Sequence, residues 1–93
     1  MPKPEHWQKA RDLFLQHAYP AAYEKMRMAG TLQEHLEQTG QEADEMAEEL
    51  RIQMKQAPDL PEDYASRVQA LERIPEVVRE LVNHDLIHVP PPA

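Results

Sequence analysis

Two histidines at i and i+4, His84 and His88, flank an acid in the run His84-Asp85-Leu86-Ile87-His88. On a helix that spacing can hold a zinc ion, with the acid as general base of a metal-dependent hydrolase. Against this, Pro90 stops a helix directly after the pair, and no third ligand stands at helical spacing nearby. The pair is therefore expected at a helix end, where partly charged histidine interacts favourably with the last carbonyls. No metal is expected there. His17 and His35 could act as bases only with an orienting partner and a concave pocket. In a 93-residue chain they are expected instead to hold a turn or a helix end. Ser66 is the only serine and lies in a polar stretch with no base beside it. The absence of cysteine excludes a thiolate nucleophile, a disulfide and a thiolate metal site. Two glycines are too few for either common phosphate-cradling loop. These residue types predict no enzyme and no cofactor.

Charge is the second chemical signal. The chain carries 17 acidic and 10 basic side chains, a formal net charge of −7. Residues 31–50 hold seven acids and no base, so this one segment carries the whole excess. With Leu36 and Ala43 at heptad position a, Glu34, Glu37, Asp44, Glu45 and Glu48 fall at positions b, c and f, the outside of a helix. Glu42 and Glu49 flank the seam. Such a face is either a solvated surface or a docking surface for a basic groove, including one built for phosphates. Direct DNA or RNA binding is not expected, because nothing on this face neutralises phosphate.

The elements that must position these residues are helices. Leu, Ile, Val and Phe number only 18 of 93 residues, but Ala, Glu, Gln, Leu, Met and Arg are abundant. Prolines mark the joints: Pro2, Pro4, Pro20, Pro58, Pro61, Pro75 and Pro90 to Pro92. A first helix is predicted from Pro4 to about His17, with Trp7, Ala10, Phe14 and His17 on one face. A second starts at Pro20, carries Tyr23, Met26 and Ala29, and stops at Gly30. Thr31-Leu32-Gln33-Glu34 reads as a capping box, Thr31 and Glu34 each satisfying the other's backbone N–H.

The third helix then runs to about Gln56, roughly 38 Å at 1.5 Å per residue. Its seam is Leu32, Leu36, Thr39, Ala43, Met46 and Leu50. Gly40 weakens this helix by about 0.5–1 kcal/mol relative to alanine, which a close neighbour would explain. A fourth helix is predicted over 61–87, presenting Tyr64, Val68, Leu71, Val78 and Leu81 or Val82, with a kink or break near Arg73-Ile74 caused by Pro75. Met26, Met28, Met46 and Met54, with Trp7, Tyr19, Tyr23 and Tyr64, are expected to fill core gaps.

The expected architecture is all-α. Two long antiparallel helices, about 31–56 and 61–87, form a single helical domain with a short N-terminal helical pair. Residues 1–3 and 89–93 are expected to be loose ends. No apolar run approaches the ~20 residues of a membrane span, and the N-terminus reads as polar, so a cytoplasmic protein is expected.

One run resembles a known family. His17, Tyr23, Met26-Arg27-Met28-Ala29-Gly30-Thr31-Leu32, His35-Leu36, Ala43 and Glu45 are similar to the transposon-encoded TnpV-like proteins, as is the final stretch from Glu80-Leu81-Val82 to Leu86-Ile87. The resemblance covers about residues 11–87. Pro75, His84 and His88 depart from it. It implies carriage on a mobile genetic element of a bacterium or its phage, and supplies no activity.

Together these signals predict a non-enzymatic protein–protein interaction or regulatory protein. Its contact surface is the acidic face Glu34, Glu37, Asp44, Glu45 and Glu48. Its structural joint is His17, Tyr23, Gly30, Thr31, Glu34 and His35. The expected partner is a protein, within which class a nucleic-acid-handling enzyme is attractive. A homodimer is a further expectation, because a thin core benefits from shared burial. The alternative is a helix-turn-helix DNA reader built on Tyr23, Gly30 and Leu36. That reader would need a basic second helix, and this one carries seven acids.

Overall fold

The computed structural model describes residues 3–92 as four α-helices and a closing π-helical turn, with no strand among these residues. Helix α1 spans Pro4–Ala18, α2 Pro20–Ala29, α3 Leu32–Lys55 and α4 Tyr64–Val82; the π-helical turn spans Asn83–Ile87. Of the ends expected to be loose, Met1, Pro2 and Ala93 lie outside the described residues. The molecule is a rod of 55 × 20 × 19 Å. Helix α3 is its spine.

The prolines place the helix starts as their chemistry dictates. Pro4 and Pro20 occupy first-turn positions, where the missing N–H costs nothing. Gly30 ends α2 at φ 78°, a left-handed conformation that glycine adopts without a Cβ penalty. Its N–H reaches the Arg27 carbonyl at 3.2 Å and the Thr31 N–H reaches the Met26 carbonyl at 3.0 Å, the bonding pattern of a Schellman motif. This motif displaces the predicted capping box. The Thr31 N–H that Glu34 was to satisfy is already bonded, and Thr31 sits in the helical region, not the extended one a cap requires. Its hydroxyl turns back to donate to Met26.

Helix α4 and the π-helical turn together end at Ile87 as expected, while the start and the form of the last turn differ from expectation. Helix α4 begins at Tyr64, not Pro61, because Asp63 is extended and its carboxylate accepts from the Ser66 N–H at 3.1 Å. It continues through Pro75, so of the expected kink or break there is no break. Ile74 and Val78, on either side of the exposed proline, are buried against the core and hold the segment helical. Past Val82 the helix widens, with the His88 N–H reaching the Asn83 carbonyl five residues back at 2.7 Å.

Helix α3 packs against both α1 and α4. The core joins Trp7 to Ala43 and Ala47 of α3, to Ile74, Val78 and Val82 of α4, and to Ile87. Serving two neighbours widens the buried stripe of α3 beyond the predicted seam. Leu36, Thr39 and Ala43 are buried as expected, Gly40 and Ala47 join them, and Leu32, Met46 and Leu50 stay half-buried. On α4, Val82 is buried and Leu81 is exposed. The proposed gap-fillers divide. Met46 and Met54 pack on the core, whereas Met28 is 78% exposed and Tyr64 82% exposed.

Gly40 lies where α1 crosses closest. A Cβ there would stand 2.7 Å from the Pro4 carbonyl oxygen and 2.7 Å from Gln8 Cγ. Gly40→Ala therefore sets two effects against each other. Helix propensity favours alanine by about 0.5–1 kcal/mol, but pushing backbone away from backbone costs about 1–3 kcal/mol. The clash wins, and a net loss of about 1–2 kcal/mol is expected in urea unfolding. A stabilised variant would show that the two helices have room to spare.

Candidate functional site

The inward face of α1 overlaps the predicted one but is rotated from it, so that Arg11 and Leu15 join Trp7 and His17 turns out. Trp7, Arg11 and Leu15 are buried, Ala10 and Phe14 are half-buried, and His17 is exposed. Arg11 is not on the predicted face, since a charged side chain is rarely fully buried. The available signal was its position, four residues after Trp7 and four before Leu15.

Arg11 is 2% exposed. Among the described residues it has no carboxylate partner; it is satisfied by neutral acceptors from distant parts of the chain. Its Nε donates to His35 Nε2 at 3.2 Å. Its Nη1 donates to the Ile87 carbonyl at 2.8 Å and to the Val89 carbonyl. The guanidinium carbon lies 5.8 Å from the Phe14 ring centroid, within cation–π range. Burial pulls the Arg11 pKa below its ordinary value, while Tyr19 opposes the shift. The acceptors are the last carbonyls of the π-helical turn and its exit, so Arg11 supplies the positive charge that a helix C-terminus favours. Histidine was expected in that role.

Of the predicted joint, the structure brings Gly30, Thr31, Glu34 and His35 together between α2 and α3. Tyr23 stands apart on α2, where its hydroxyl accepts from Gln16 Nε2 at 3.3 Å. A hydrogen bond to Asp12 is the main cause raising the Tyr23 pKa. His35 is half-buried, and its pKa is lowered first by burial and then by the Arg11 charge.

Beside this joint runs a groove of about 600 Å³. Met26, Ala22 and Tyr19 form one wall, His35 and Gln38 another, and Pro90 to Pro92 the third. Pro90 to Pro92 lie along α2 and α3, and the Val89 carbonyl is bound to Arg11.

The acidic face is displayed as the heptad assignment implies. Glu34, Glu37, Glu45 and Glu48 are exposed and Asp44 is half-exposed. Glutamines four residues earlier brace two of these carboxylates: Gln33 donates to Glu37 at 3.0 Å and Gln41 to Glu45 at 2.9 Å. Arg51 pairs with Glu48. Toward the end of α3, Asp44, Glu45, Glu48 and Glu49 line a shallow depression with Ile52, which is 48% exposed.

His84 and His88 do not converge on a common site. The His84 ring pairs with Asp85 at 2.8 Å, and the His88 ring lies 5.2 Å from that of Phe14. Among the described residues, no group of three or more His, Cys, Asp or Glu could hold a metal ion, and no helix is long and apolar enough to cross a membrane.

No curated protein and no solved structure matches the chain. A family model does, that of the transposon-encoded protein TnpV, over residues 3–87. That match takes in the Trp7 core, the Arg11–His35 contact, the acidic helix and the π-helical turn, and the chain belongs to the family of the transposon-encoded protein TnpV.

Proposed function

We propose that this mobile-element protein is a non-enzymatic interaction or regulatory protein that docks through α3 onto a basic surface of a protein partner. One observation carries the reading. Glu37 and Glu45 are exposed, and neutral glutamines hold them in place without cancelling their charge. Two carboxylates oriented in advance lose less side-chain entropy on docking, and the acidic face matches a basic groove in charge. Exposed Ile52, at the end of the same depression, offers the apolar anchor that charge alone does not provide. A basic groove of a nucleic-acid-handling enzyme is the partner chemistry that fits best. The same carboxylates would repel the phosphates of DNA if α3 were used as a reading helix.

The test is a charge swap. A tagged chain is used to isolate a partner from cells carrying the element, and its affinity is compared with that of a Glu37→Lys, Asp44→Lys, Glu45→Lys variant. With helicity unchanged by circular dichroism, affinity is expected to drop at least about tenfold, from three contacts worth roughly 0.5–1 kcal/mol each. Equal affinity in the folded variant rejects the acidic face as the docking surface.

A further inference from the structure

Arg11 ties α1, α3 and the C-terminal tail to one guanidinium, and one of its acceptors can take a proton. Because Arg11 Nε can only donate, His35 Nε2 at 3.2 Å must accept, which requires a neutral imidazole. Nη1 of the same guanidinium holds the carbonyls of Ile87 and Val89. Pro90, Pro91 and Pro92 have no N–H with which to anchor themselves. Arg11 and apolar contact along the groove are therefore what hold the tail.

From this juxtaposition we propose that His35 is a proton-operated latch on the chain's own proline tail: neutral, it keeps Arg11 on the tail carbonyls; protonated, it releases Val89–Pro92 and opens the groove between α2 and α3.

Protonation turns Nε2 from acceptor into donor, facing a guanidinium that has no acceptor to offer. It also sets two positive charges 3.2 Å apart around a side chain that is 2% exposed. The surrounding groups do not cancel this. Lys25 of α2 adds positive charge across the groove, and Glu34 of α3 is exposed. Exposed Glu42 favours the imidazolium but is the smallest of the influences on His35. Tyr19 contributes a phenol, and Val89 to Pro92 carry no ionisable side chain. The His88 ring is engaged with Phe14.

The tail is the part that yields. Whether the imidazolium stays or rotates outward, Arg11 Nε loses its acceptor, and a guanidinium that turns to find another gives up the Ile87 and Val89 carbonyls.

The sign follows from the lowered pKa. The latched state resists the proton and the released state accepts it near the ordinary value of 6.5. The latch is complete above that pH and is lost as pH falls below it through the lowered value.

The experiment is NMR on the whole chain from about pH 7.5 to about pH 5, spanning the range where histidine titrates. It follows nuclear Overhauser contacts from the Pro90–Pro92 rings to Met26 and Tyr19, together with the His35 Cε1 shift. His35→Gln is the control, because its side-chain oxygen accepts from Arg11 and does not titrate. The contacts are expected in the wild type at high pH, to vanish with the same midpoint as the His35 shift, and to persist at low pH in His35→Gln. Contacts that survive acid in the wild type, that fade at a midpoint unrelated to His35, or that vanish equally in His35→Gln overturn the latch.

Discussion

Arg11→Ala is expected to lower folding stability by about 3–5 kcal/mol, since it leaves buried acceptors unpaired and a cavity where the stem lay. The acceptors are His35 Nε2 and the carbonyls of Ile87 and Val89. Leaving a buried polar group unpaired costs about 1–3 kcal/mol, and the estimate is held down because tail carbonyls can rehydrate once the tail lifts. For a domain of this size that corresponds to a fall in Tm of more than about 12 °C.

Arg11→Met separates the two contributions. It keeps most of the buried stem and removes the charge, so it should recover packing but not the hydrogen bonds. Arg11→Lys keeps the charge but loses the fork that reaches imidazole and carbonyl at once. Thermal and urea unfolding of the three variants should rank them with alanine worst. A loss below about 1 kcal/mol for Arg11→Ala would place Arg11 among ordinary surface residues and contradict its burial.

The contrast between Arg11 and the helices shows which kinds of information the sequence carries locally. Pro4, Pro20 and Gly30 act through their own backbone chemistry, so the ends of α1 and α2 and the start of α3 were legible within a residue or two. Gly40 was legible for the same reason: a glycine inside a helix signals a close neighbour, and Pro4 is that neighbour. The acidic face needed only helical periodicity.

What escaped depends on partners far away in the chain. The Arg11 bonds span 24, 76 and 78 residues, and no local pattern reports them. The predicted capping box failed because a competing bond from Thr31 to Met26 used the same N–H, a choice made by the left-handed Gly30 before it. Pro75 was judged by its local cost, which burial of Ile74 and Val78 offsets.

Trp7→Ala is the second change expected to be severe. Trp7 is 1% exposed and contacts the core where α1, α3, α4 and the π-helical turn meet. Truncating a buried tryptophan costs about 3–5 kcal/mol, from lost transfer energy and from a cavity that helices on three sides cannot close. A small chain with a thin core sits near the low end of the range typical of domains, about 5–15 kcal/mol, so a substantial fraction of Trp7→Ala chains should be unfolded near physiological temperature.

Trp7→Phe tests a finer point. Among the described residues, the Trp7 Nε1–H is the buried side-chain polar group without a hydrogen-bond partner, and such a group costs about 1–3 kcal/mol. Phenylalanine gives up part of the ring area but removes that penalty. Its net loss should therefore stay below about 2 kcal/mol, well short of the alanine variant. Equal losses for phenylalanine and alanine in urea unfolding would mean that the indole N–H is satisfied after all, and that it helps to hold α1 on the spine.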